Sequence, residues 1–166
     1  ARHMDTPLLL ERARGLATQS RGAACIVEEL ELGPMLLEGV PGLVRWDEGG
    51  GDGVAACREA MRALQGFEIW QTFGRWVEAE EGAGRQVLGE DVAQRMAWAR
   101  SCDADAAAAA RSCMALVEQV LRNVLGGDAV LVLPPTAAAP PAHGSTTVDA
   151  EFRKRSFDAT ALAGMS

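Results

Sequence analysis

Residues 130–144 read VLVLPPTAAAPPAHG, and the fold class turns on how this stretch is taken. With Ala129 it opens as a short, wholly apolar run of the kind buried on both faces in a parallel sheet. The preceding "GGD", residues 126–128, closes a helix, glycine being the usual residue past a helix end. Pro134 and Pro135 lack the N–H that a ladder needs, so pairing stops there and the chain beyond is held extended. The order is then helix, Gly-Gly turn, buried strand, proline loop and a helix from about Glu151, which is α/β grammar: helices packed on a mixed sheet. In open α/β sheets function gathers in the loops at the carboxyl ends of strands. The proline loop is accordingly either a stiff lip that places Thr136 beside a cleft or a rigid surface crossover.

Upstream, "DTPLLLERARGLATQSR" from Asp5 to about Arg21 has a capping residue, an early proline and apolar residues at helical spacing. "AACIVEELEL" alternates apolar residues with carboxylates up to "GP" and reads as a strand. Residues 35–53 are Gly-rich and lack periodicity, so they read as a loop or insertion. The acids in "EGGGDG" would repel a phosphate, which argues against a phosphate-cradling loop there. Between Val54 and Glu81, the residues Val54, Cys57, Met61, Leu64, Phe67 or Ile69, Phe73 and Val77 recur at about three and four, the spacing of one buried helical face. Trp70, Phe73 and Trp76 gather in the same helix; they are core packing in the plain reading and a ligand-facing wall in the functional one. A short helix follows around residues 92–101 and a longer one over 103–125, with Asp103 and Asp105 at the positive end of its dipole.

Composition narrows the function classes. The 166 residues suit one domain with a real core, and no apolar run approaches the ~18–20 residues that cross a bilayer. A net charge of −7 argues against a nucleic-acid partner, and the densest basic run, "FRKRSF", reads as a solvated charge cluster. Cys25, Cys57, Cys102 and Cys113 form no C-x-x-C pair and read as free thiols of a reducing compartment, so the chain is placed in the cytoplasm. With His3 and His143 as the only histidines, no metal site is expected, and no cofactor motif is present.

Three segments carry a resemblance. "GGDAVLVLPPTAAAPPAHG" resembles the amidase signature family's run of aspartate, apolar strand, Pro-Thr and Ala-Pro-Pro; "ALQGFEIWQTFGRWVE" and "FRKRSFDATALAGMS" resemble two of its helices, the last spelled as in the plant and algal branch. That branch includes indole-3-acetamide hydrolases and a catalytically dead receptor of the chloroplast envelope, and it implies the plastid or its envelope as the alternative location. The match covers roughly Ala56 to Ser166. It implies amide hydrolysis by a lysine, a relay serine and a nucleophilic serine, with backbone N–H groups as oxyanion hole. No Gly-Ser-Ser run exists here and Lys154, the sole lysine, lies in a cationic cluster, so no catalytic residue carries over. The resemblance implies a partial amidase domain, 1–166, cut at both ends and completed by the rest of that domain or by a homo-oligomer. It would supply the pocket wall for a small amide through Trp70, Pro135 and Thr136. A non-catalytic amidase-like receptor or scaffold is the alternative. A helical interaction module, in which "VLVLPP" is no central strand, is the third.

Overall fold

The computed structural model describes residues 6–21, 26–134, 136 and 150–165. Among them the regular elements are all helical: α1 (Thr6–Arg21), α2 (Leu32–Gly39), a 3₁₀ turn (Pro41–Trp46), α3 (Gly53–Gly82), α4 (Glu90–Arg100), α5 (Ala104–Leu125) and α6 (Ala150–Met165). α1, α3, α4, α5 and α6 lie where the sequence predicts helices. Asp52 caps α3 by accepting from the Val54 and Ala55 N–H groups at 3.0 and 3.3 Å, and Asp103 caps α5 by accepting from Ala106 N–H at 2.6 Å. Gly126 ends α5 at φ +57°, a backbone conformation that favours glycine.

The mixed sheet is absent: no strand occurs among the described residues, and the α/β expectation is corrected to an all-helical arrangement there. Residues 129–134 form neither helix nor ladder, and the Ala129 N–H donates to the Leu125 C=O at 3.2 Å instead. Leu131 and Leu133 pack against the helical core, whereas Val130 is 84% and Val132 54% exposed. A strand of a parallel sheet would bury both sets. The run alternates instead, laying one face on helices, and among the described residues no strand pairs with it. The second expected strand also fails: residues 26–30 form no ladder, Ile26 is 81% exposed, and Leu32 opens α2 rather than closing a strand. The Gly-rich loop assigned to 35–53 narrows to residues 47–52, because Leu36 and Leu43 are buried in α2 and the 3₁₀ turn.

α3 is the axis. It packs against α2, the 3₁₀ turn, α4, α5 and α6, while α1 packs on none of these. Ala56 and Ala60 of α3 and Ala107 and Ala110 of α5 are fully buried, so the two backbones approach closely at that end. Larger side chains, among them Leu36, Leu43, Met61, Leu64, Val117, Leu121 and Met165, close the core around them.

Candidate ligand groove

One end of the core is not filled. Leu32 at the start of α2, Val54 in the first turn of α3, Leu133 and Pro134 of the extended segment, and Leu162 of α6 surround a mostly apolar hollow of about 230 Å³. Thr136, Arg155 and Asp158 supply its polar groups. The proline stop therefore has a structural consequence without a sheet: it brings Thr136 to the rim of a groove built by four separate segments.

Asp158 is the groove's acidic group, and it is held from behind. Arg58, whose side chain is 3% exposed, forms an ion pair with Asp158, one hundred residues away, and another with Glu59 at 2.9 Å. A buried guanidinium is tolerated only when its donors are satisfied, and two carboxylates meet that condition here. Burial pushes the Asp158 carboxyl above the ordinary range; Arg58 pulls it back in part. Sequence reasoning missed both residues. The signal was present, because Arg58 lies four positions after Val54 and Asp158 four before Leu162, each in phase with a buried stripe.

Of the residues singled out from the sequence, Thr136 reaches this groove and Trp70 does not. Trp70 is half-buried in α3, with the Arg100 guanidinium 5.1 Å from its ring centroid and its indole against Gly74. It packs between α3 and α4 and lines no described hollow. Trp76 and Phe73, 47% and 51% exposed, are neither core nor groove wall. Pro135 and His143 lie outside the described residues, as does most of the proline loop.

None of the three described cysteines is activated as a nucleophile. Burial, then the neighbouring Cys113 and Asp52, pushes the Cys57 thiol up to about 12, and burial also raises Cys102 and Cys113. A reactive cysteine needs the opposite shift. Lys154 points to Glu48 at 3.4 Å on the surface, and its side chain is 43% exposed. Among the described residues no group of three or more His, Cys, Asp or Glu side chains could hold a metal, and no helix is long and apolar enough to cross a membrane. No family model, curated protein or solved structure matches the chain.

Proposed function

We propose that this chain supplies wall and scaffold for the binding of a small, largely apolar amide, without reacting groups of its own. The observation that carries the reading is the groove at Thr136. Its walls are Leu32, Val54, Leu133 and Leu162, which suit an apolar body, and Thr136 brings a hydroxyl and Asp158 a carboxylate, groups that suit an amide C=O and N–H. Arg58 behind Asp158 fixes the carboxylate in place. The sequence resemblance to amide hydrolases supports the choice of an amide. The missing sheet removes the structural half of that resemblance, so the reading rests on the groove.

The test takes the open reading frame that encodes the chain, expressed whole, and measures binding and turnover against a panel of small amides that includes indole-3-acetamide. Turnover in which Thr136→Val and the groove-filling Val54→Phe raise KM about tenfold with kcat nearly unchanged supports a wall within a hydrolase. Binding weakened by the same substitutions, with no turnover, supports the amidase-like receptor or scaffold. If the panel neither binds nor turns over while circular dichroism shows intact helices, the groove reading is lost and the helical interaction module takes its place.

A further inference from the structure

A second hollow, of about 260 Å³, has the opposite chemistry. It opens where α4 and α6 each pack along α3 without touching one another. Arg62 comes from α3, Asp91, Gln94, Arg95 and Trp98 from α4, and Arg153 from α6. Three guanidinium groups against one carboxylate make a cationic lining in a chain whose net charge is −7.

The arrangement is partly built in advance. Trp98 seats its benzo edge against Gly66, where an added Cβ would stand 2.8 Å from the ring. The Arg62 guanidinium lies over that ring at 5.1 Å and pairs with Glu59 at 3.2 Å, two contacts that fix its direction. Its remaining N–H donors are available, since a guanidinium carries five. Arg95 and Arg153 are exposed and enter no ion pair among the described residues. A planar carboxylate is satisfied by one such fork, whereas a group with three terminal oxygens can accept from three.

We propose that this hollow binds a phosphate monoester or free phosphate through Arg62, Arg95 and Arg153, with a dissociation constant of about 1 mM, as suits an open site with Asp91 at its edge. The reading is independent of the groove at Thr136 and gives the basic run "FRKRSF" a use beyond solvation.

The experiment follows Trp98 indole and arginine Nε–H resonances of the isotope-labelled chain during titration with inorganic phosphate, phenyl phosphate, acetate and chloride at constant ionic strength. The expected result is a saturating shift of Arg62, Arg95 and Trp98 with the phosphates and not with acetate or chloride; the tighter phosphate identifies ester or free ion. Arg95→Ala and Arg153→Ala each weaken binding about tenfold, and Arg153→Lys, which keeps charge but loses the fork, recovers part of it. Both positions are exposed, so helicity stays unchanged and serves as the folding control. Shifts that rise linearly, that chloride reproduces at matched ionic strength, or that ignore both alanine substitutions overturn the proposal.

Discussion

Cys57 sits wholly buried on α3, and its thiol is pushed up to about 12, first by burial and then by Cys113 and Asp52. In the unfolded chain the same thiol titrates near ~8.5. Above that pH the unfolded state releases a proton that the fold retains, so this contribution is complete below about 8.5 and is lost as pH rises toward 12. Cys57→Ala should therefore flatten the alkaline fall in stability, read from urea midpoints at several pH values between neutrality and the alkaline range. An unchanged slope would show that Cys57 titrates alike in both states. Gly66 gives a steric test at the same scale. A Cβ there would meet Cys102 Sγ at 2.5 Å and the Trp98 ring at 2.8 Å. Alanine gains ~1 kcal/mol of helix propensity, but overpacking costs about 1–3 kcal/mol. Gly66→Ala should thus lower stability, and tryptophan emission should shift red as Trp98 is displaced.

Among the elements, the longer helices were legible because they carried several agreeing signals, whereas the eight-residue α2 carried too few and read as strand and loop. α5 has an acidic cap at Asp103, an apolar stripe through Ala110, Cys113, Val117 and Leu121, and a glycine stop. No such redundancy marks Ala129–Leu133. Five apolar residues fit a buried strand, and they equally fit an extended segment lying on helices, because periodicity cannot separate short apolar runs. Whether a strand forms depends on a partner backbone, and that is not written in the five residues themselves. The observed alternation predicts unequal effects of truncation. Leu133→Ala removes packing on the core and should lower unfolding free energy by about 1–2 kcal/mol. Val132→Ala, at an exposed position, should stay within ~0.5 kcal/mol. Equal costs, measured by denaturant unfolding, would mean that the segment is buried on both faces after all.

For the whole molecule, the tie between Arg58 and Asp158 joins α3 to α6 across one hundred residues of chain. Breaking a buried ion pair from one side typically costs ~3–5 kcal/mol, because it strands the other charge. Glu59 still compensates Arg58, so Asp158→Ala should cost nearer ~2 kcal/mol, in urea or thermal unfolding. Arg58→Met with Asp158→Leu should recover most of that loss, since an apolar pair of similar volume avoids desolvating charge. A double variant no more stable than Asp158→Ala alone would show that the ion pair itself sets how α6 docks.

The sequence by itself determined the five longer helices, because they rest on contacts within a few residues: the three-and-four stripes and, at the start of α5, Asp103 with Ala106. For Thr136 it left open a lip beside a cleft or a surface crossover, since a proline stop constrains only the chain next to it. Only the tertiary structure decided that α3 is the common axis, that Val130 and Val132 face outward with no sheet, that Trp70 is remote from Thr136, and that Arg58 underlies Asp158. Each of these depends on what lies across space from a residue, and a one-dimensional pattern records only what each residue is able to meet.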